Sequence, residues 1–165
     1  MPPLPAYFLR PVRQSDAEWL WQLKVATLRG YVEATWGTWN EAQQRSFAAR
    51  DLRSPTLRII VLAGEGDAGA IDVARRGSEW FLGRLELLPR LQRRGLGRFL
   101  ISELQREAAL AGLPIRLHVL RVNPAQSLYR RLGFEEVGQT TSHLLMSWTP
   151  EPRNQKTASP PGRNA

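Results

Sequence analysis

The sequence predicts a mixed α/β fold with seven strands and four helices, and three observations carry that expectation. Apolar residues alternate over some short stretches and recur at helical spacing over others, so both element types share this chain of 165 residues. Between Thr56 and Leu88 three strand-like runs follow one another with only glycine-containing turns between them, a meander of neighbouring strands. The stretch from Leu85 to Phe99 then passes from strand through a glycine-containing turn into an amphipathic helix, an arrangement suited to holding an anion.

Taken in order, Tyr7 to Arg10 is the first strand. Ser15-Asp16-Ala17-Glu18 sets a serine three residues before a glutamate, a capping box from which a helix is expected to start. Trp19, Leu20, Leu23, Ala26 and Thr27 share one face of that helix, and Gly30 is expected to end it. Tyr31 to Trp39 then forms an aromatic-rich connector. Thr38 with Glu41 repeats the capping spacing, giving a second helix from Trp39 to about Arg50, closed by Ser54-Pro55. Leu57, Ile59, Val61 and Leu62 make a strand that turns at Gly64-Glu65-Gly66-Asp67. Ala70 to Ala74 and Trp80 to Leu88 are two more, joined at Arg76-Gly77-Ser78. A helix from about Gly95 to Ala111 carries Phe99, Leu100, Leu104, Ala108 and Ala111 inward and stops at Gly112 and Pro114. Ile115 to Leu120 is a compact apolar strand. Asn123-Pro124 opens a short helix with Leu128 and Leu132 facing the core, Gly133 ends it, and Phe134 to Gly138 with Ser142 to Trp148 make a closing hairpin. Residues 1–148 are thus expected to be one domain, and the proline-rich polar stretch 149–165 to be a disordered tail.

Composition removes several function classes. The chain is 42% hydrophobic, enough for one core, yet no run approaches the roughly 20 apolar residues of a membrane span. Met-Pro-Pro-Leu-Pro lacks the basic and apolar regions of a secretory signal, so a cytoplasmic protein without a membrane partner is expected. Zero cysteines exclude disulfides, thiolate metal sites and a cysteine nucleophile, and with only His118 and His143 as imidazoles no metal is expected. The net charge of +8 and the pI near 11.1 rest on arginine, since Lys24 and Lys156 are the only lysines. Those arginines form no long basic run and no basic helix with interleaved aromatics, which argues against nucleic acid and leaves a polyanionic small ligand.

The turn after the third meander strand is where such a ligand fits. Pro89 cannot donate to a sheet ladder and so ends the strand. Gly95 and Gly97 let backbone approach a ligand closely, and Arg93, Arg94 and Arg98 add guanidinium forks suited to phosphate, although Arg90 and Arg94 are equally read as solvated surface.

Gln92-Arg93-Arg94-Gly95-Leu96-Gly97 matches in full the Gln/Arg-x-x-Gly-x-Gly/Ala turn of the GNAT superfamily of N-acetyltransferases. The chain resembles that family again at Asn123-Pro124 and at Leu128-Tyr129-Arg130-Arg131-Leu132-Gly133-Phe134, and in element order from about Tyr7 to Trp148. The resemblance implies a mostly antiparallel twisted sheet of about seven strands, splayed between the fourth and fifth, with acetyl-CoA in the gap as acyl donor. It further implies a pantetheine arm lying along Leu85, Glu86 and Leu87, and a pyrophosphate on backbone N–H groups of Arg93, Arg94, Gly95, Leu96, Gly97 and Arg98, in the turn that Gln92 opens.

The implied reaction has three needs. An alkylammonium with a pKa near 10.4 must lose a proton, the departing thiolate, with a thiol pKa of about 8.5, profits from a donor, and the carbonyl oxygen needs a donor as it becomes an oxyanion. By resemblance Tyr129 is the group that protonates or hydrogen-bonds the thiolate, and the Leu87 N–H is the oxyanion donor. Glu86 is the favoured base or water-orienting residue, with Glu79, Glu33 and His118 as alternatives and a relay of waters as another. Asn123 precedes Tyr129 by six positions where many relatives have seven, so a capping role and a cofactor contact both stay open.

Tyr31, Glu33 and Trp36, with Trp39, lie in the connector that by resemblance walls the acceptor site, and aromatics with a carboxylate suit a cationic amine. The expected acceptor is therefore a small molecule carrying a primary amine, and the expected state a monomer or homodimer. The alternatives are acetylation of a protein N-terminus or lysine, and a non-catalytic module binding acyl-CoA or nucleic acid on the same scaffold.

Overall fold

The run Leu57–Leu62 (β2) shows no polar alternation because both of its faces are covered. In the computed structural model, which describes residues 6–151, Leu57 and Ile59 pack against one helical layer while Ile60 and Leu62 pack against the other. The remaining elements are β1 (Tyr7–Pro11), α1 (Ala17–Trp36), α2 (Glu41–Asp51), β3 (Gly66–Arg76), β4 (Glu79–Leu87), α3 (Leu96–Ala111), β5 (Ile115–Leu120), α4 (Ala125–Arg131), β6 (Glu135–Gln139) and β7 (His143–Trp148). One sheet holds all seven strands in the order β1-β2-β3-β4-β5-β7-β6. Leu20 and Leu23 of α1 close over Leu57, Ile59 and Ala70. On the opposite face Leu96, Leu100, Ile101 and Leu104 of α3 and Tyr129 of α4 join Ile71, Leu82, Leu117 and Met146 in the larger core.

Two features of β4 position everything that follows. Neighbouring strands are antiparallel except β4 and β5, which run parallel and pair only at Trp80 with Ile115, Phe81 with Arg116 and Leu82 with Leu117. Beyond that point the two strands part. Second, Val73 of β3 stands opposite Leu82 while Asp72 stands opposite Arg84, so Gly83 is an extra, bulged residue. Trp80 and Leu82 face α3 before the bulge, and Leu85 and Leu87 face it after. The change of phase turns Arg84 and Glu86 toward the α1 side.

The helix ends differ from the sequence expectation. α1 does not stop at Gly30 but continues to Trp36, and Gly37 ends it with φ 83°. One interior glycine costs about 1 kcal/mol relative to alanine, and Val32, 8% exposed, helps to offset it. Tyr31 to Trp36 is therefore helix, and the expected aromatic connector shrinks to residues 37–40. The Ser15 and Glu18 pair does not cap α1: a 3-10 turn over Gln14–Asp16 precedes it, in which Asp16 Oδ2 accepts the Arg13 N–H at 2.7 Å, while Glu18 accepts from Gln22 at 2.7 Å. For α2 the cap is Asn40, which accepts the Gln43 N–H at 3.0 Å, and not Thr38. β3 starts at Gly66 and ends at Arg76, longer at both ends than Ala70 to Ala74. In α3, Ile101 is buried and Ala111 is exposed. From residue 152 the expected tail lies outside the described residues.

One guanidinium ties β1 to two other elements. Arg10 Nη1 and Nη2 donate to Asp16 at 2.8 and 2.9 Å, and Nη2 also reaches Asp67 at 2.6 Å. Its hydrogen bond holds the Asp16 carboxyl below the usual carboxylate range against the opposing effect of burial. A carboxyl lowered in the folded state contributes stability in full above its ordinary pKa and loses it as pH falls through its own lower value. Arg10→Met is therefore expected to cost about 3 kcal/mol at pH 7, by leaving a buried carboxylate unpaired. In urea unfolding the deficit should shrink below pH about 4, and a deficit unchanged down to pH 2 would contradict this account.

Candidate functional site

Where β4 and β5 part, a cleft of about 360 Å³ opens on the α1 side of the sheet. Lys24 and Leu28 reach it from α1, Asp51 from the end of α2 and Asp72 from β3. Arg84, Leu85 and Glu86 of β4 form one wall, and His118 and Leu120 of β5 the other. Asn123, Tyr129 and His143 complete it.

The charges in this cleft are buried or half-buried and only partly paired. Arg84 Nη1 donates to Asp51 Oδ2 at 2.6 Å. Its Nε stands 2.8 Å from Glu86 Oε1, close enough to pair the charges, yet both Glu86 oxygens remain without a hydrogen-bond donor among the described residues. Burial opposes the charge of Arg84, but Glu86 and Asp51 together outweigh it and hold the guanidinium above its ordinary pKa. Arg84 Nη2 and Asp72 Oδ1 are also buried without partners. Lys24 is 8% exposed, stands 5.8 Å from the Phe47 ring, and has no carboxylate within 4 Å among the described residues. Burial, with Arg84 next, lowers its pKa from the ordinary value.

The far wall carries the groups that α4 positions. Asn123 Oδ1 accepts the Ala125 N–H at 2.9 Å, so this side chain caps the helix while its residue lines the cleft. Tyr129 packs its ring edge on Phe134, centroids 5.7 Å apart, and its hydroxyl has no hydrogen-bond partner among the described residues. Burial pushes the phenol up to about 12. His118 stacks edge-on against Phe81 at 5.1 Å. His143 contacts Ser142 Oγ through Nδ1 at 2.8 Å, and burial, with the charge of His118 second, lowers its pKa.

At the far end of β4 the turn presents free backbone donors. Arg93 and Gly95 have left-handed φ values of 57° and 86°. No N–H from Arg93 through Arg98 has an acceptor among the described residues, and no side chain caps α3. Successive free N–H groups at a helix start make an anion cradle. Gln92 fixes its position by donating from Nε2 to the Leu87 carbonyl at 2.9 Å. The guanidinium groups sit outside it: Arg93, Arg94 and Arg98 are exposed, and Arg90 is paired with Glu65, which Arg94 approaches to 3.7 Å.

The structure thus brings Leu85, Glu86, Asn123 and Tyr129 to one cleft, with Leu87 between it and the Gln92 to Arg98 turn. It does not bring Tyr31, Glu33 or Trp36 into the cleft lining. Glu33 pairs with Arg29 at 2.9 Å on the exposed side of α1, and Trp36 is 55% exposed with its ring 6.3 Å from that of His143. Glu79 pairs with Arg116 at 3.1 Å, also outside the lining. Sequence reasoning missed Lys24, Asp51, Asp72 and Arg84. Lys24 had a signal, because it falls on the same helical stripe as Leu20, Leu23 and Thr27.

Residues 55–136 match the acetyltransferase (GNAT) domain family. Among solved structures, the chain is similar to an acetyltransferase from Thermus thermophilus, at 22% identity over 88% of this chain and 98% of that one, with a TM-score of 0.68. It is similar to the PaiA N-acetyltransferase from Thermoplasma acidophilum in complex with coenzyme A, at 22% identity over 87% and 99%, TM-score 0.61. It is also similar to the ribosomal-protein-S18-alanine N-acetyltransferase from Escherichia coli, at 18% identity over 92% and 98%, TM-score 0.64. At these identities the likeness is one of fold. No curated protein matches the chain in sequence.

Gly95 and Gly97 should respond differently to alanine. A side chain at Gly95 would have to hold φ 86°, a strain of about 1 to 3 kcal/mol. At Gly97 an added Cβ would rest at ordinary contact, 3.6 Å from Leu128 and 3.8 Å from Leu87. In urea unfolding Gly95→Ala is expected to lose about 1 to 3 kcal/mol of stability and Gly97→Ala little; equal losses would mean that the left-handed turn at Gly95 is not what the glycine supplies.

Proposed function

The chain belongs to the GNAT superfamily, and on that premise we propose that it transfers the acetyl group of acetyl-CoA to the primary amine of a small acceptor, by direct attack in a ternary complex. The observation that carries the reading is the free edge of β4 beyond Leu82, with an anion cradle at its end and an unpaired phenol across the gap. An acyl-CoA has matching parts in the matching order: a pyrophosphate, an amide-bearing arm and a thioester. A cleft of about 360 Å³ supports a small acceptor.

Acetyl-CoA supplies the thioester, whose carbonyl carbon the amine nitrogen attacks; the C–S bond breaks and the sulfur leaves as thiolate. In this proposal Leu85, Glu86 and Leu87 offer their backbone to the arm, Arg93 to Arg98 hold the pyrophosphate, and the Leu87 N–H faces the carbonyl oxygen. Tyr129 serves the sulfur as a hydrogen-bond donor and not as a full acid. Moving a proton from a phenol at about 12 to a thiolate whose thiol has a pKa near 8.5 is uphill by about 5 kcal/mol. Glu86, 2.8 Å from Arg84 and with neither oxygen holding a hydrogen-bond donor among the described residues, accepts a hydrogen bond from the acceptor's ammonium and orients the water that carries its proton away. Glu33 and Glu79 are each paired with an arginine outside the cleft, which leaves Glu86 as the better-placed base. Among the described residues no helix is long and apolar enough to cross a membrane, and a cytoplasmic location is part of the proposal.

A thiol-release assay with acetyl-CoA against amines, amino acids, antibiotics and short peptides tests this reading. Turnover with some amine is expected; tight acetyl-CoA binding with no thiol release from any of them would favour a binding module. Tyr129→Phe should lower kcat by about 10- to 100-fold, the worth of a hydrogen bond to a charged sulfur, while leaving coenzyme A affinity within about twofold. The wild-type rate should climb with pH as the amine deprotonates, with no downturn below pH about 11, because the neutral phenol persists toward its raised pKa of about 12. A downturn near pH 10 that the phenylalanine variant abolishes would overturn the raised pKa, and a Tyr129→Phe rate equal to that of the wild type would overturn the donor role.

A further inference from the structure

We infer that the acceptor is a zwitterion, an amine that also carries a carboxylate or like anion, as an α-amino acid does, with Lys24 holding the anion and Glu86 and Asp72 the ammonium. The inference rests on the acyl-transfer reading and names the substrate class of the same site. Unpartnered groups of both signs face one cleft. Glu86 keeps both oxygens and Asp72 keeps Oδ1 without a donor, while Arg84 Nη2 has no acceptor. Lys24 is buried with no carboxylate within 4 Å among the described residues. A buried charge without a partner is costly, and a site that retains both signs unpaired is complementary to a ligand with both.

The balance of charge selects among ligands. From the packed elements the cleft receives Lys24 of α1, Asp51 of α2, Asp72 of β3, Arg84 and Glu86 of β4, His118 of β5 and His143 of β7. Leaving the histidines aside, two cations face three carboxylates. Arg84 is already engaged by Asp51 and Glu86, so Lys24 is the cation left over. A simple amine would pair with a carboxylate and leave Lys24 alone. A peptide N-terminus would place an uncharged amide beside it. A metal ion is an unsuitable occupant, since no group of three His, Asp or Glu among the described residues is arranged to hold one. A zwitterion adds no net charge and satisfies both ends.

Matched triads test it: phenylalanine, its carboxamide and phenethylamine, with the same three forms for methionine, leucine and glutamine, each assayed for thiol release with the full chain and acetyl-CoA. For at least one side chain the free acid is expected to exceed both partners by at least tenfold in kcat/KM. Lys24→Met should lower kcat/KM for the acid at least tenfold more than for the decarboxylated amine, mainly through KM, and Lys24→Arg should recover part of the loss. If amines or carboxamides react as well as the acids, and Lys24→Met moves all three forms equally, the inference falls while acetyl transfer stands. Carboxamides reacting best would point to a peptide N-terminus and also overturn it. No thiol release from any triad or from the wider amine panel would remove the acyl-transfer reading itself, and this inference with it.

Discussion

The parallel ladder between β4 and β5 ends after Leu82 and Leu117, and the rest of the site depends on that ending. Backbone N–H and C=O groups within a sheet have to be satisfied, by a neighbouring strand, by water or by a ligand. Past the break β4 runs on to Leu87 with β3 on one edge and open space on the other. A chain-like ligand carrying its own amides can take the vacant edge without disturbing the fold. The same divergence separates the walls enough for a cleft while both strands stay anchored at Trp80 and Ile115. Rigidity at one end and a gap at the other come from one arrangement.

The bulge at Gly83 sets which side chains meet that gap. Without the extra residue, period-two alternation from Trp80 and Leu82 would send Arg84 and Glu86 into the apolar α3 core. With it, both turn toward Lys24, Asp51 and Asp72, where each finds at least one opposite charge. Arg84 is the member on which the group depends, because it alone is paired on two sides. Its charge is stabilised by Asp51 and Glu86, and in turn it depresses the basicity of Lys24. Such a cluster is a poor source of stability. The stability comes from the apolar cores on either face, which Leu20 and Leu23 close on one side and Leu100, Ile101 and Leu104 on the other.

Much of this was legible in the sequence, and the unreadable parts have physical causes. Periodicity placed β2, β5, α3 and the final hairpin to within a residue or two, because each has strong amphipathic or continuous apolar patterning and a clear glycine or proline stop. The end of α1 was misread because Gly30 has the form of a stop, and only tertiary packing decides whether a helix passes through a glycine. That one boundary also changed the setting of Tyr31, Glu33 and Trp36, which stand on a helix where a loop was expected, with Glu33 paired to Arg29 and the Trp36 ring 6.3 Å from that of His143. The turn from Gln92 to Gly97 was legible since its chemistry is local backbone. The grouping of Lys24, Asp51, Asp72 and Arg84 around Glu86 was not, because it is assembled from four separate elements and turned into place by a bulge.

Tyr129 and Glu86 illustrate how burial divides labour in such a cleft. Both are nearly sealed from solvent, but their neighbours differ. Tyr129 has no charge beside it, so desolvation acts alone and keeps it neutral, a donor that does not give up its proton. Glu86 has Arg84 Nε at 2.8 Å, and both of its oxygens lack a hydrogen-bond donor among the described residues. A hydroxyl without an acceptor and a carboxylate without a donor thus line the same cleft. The six-position step from Asn123 to Tyr129 sets the donor's height, since Asn123 caps α4 and thereby fixes the turn on which Tyr129 stands. On this geometry the cap and the Tyr129 hydroxyl are parts of one arrangement, with the asparagine acting through the helix it starts.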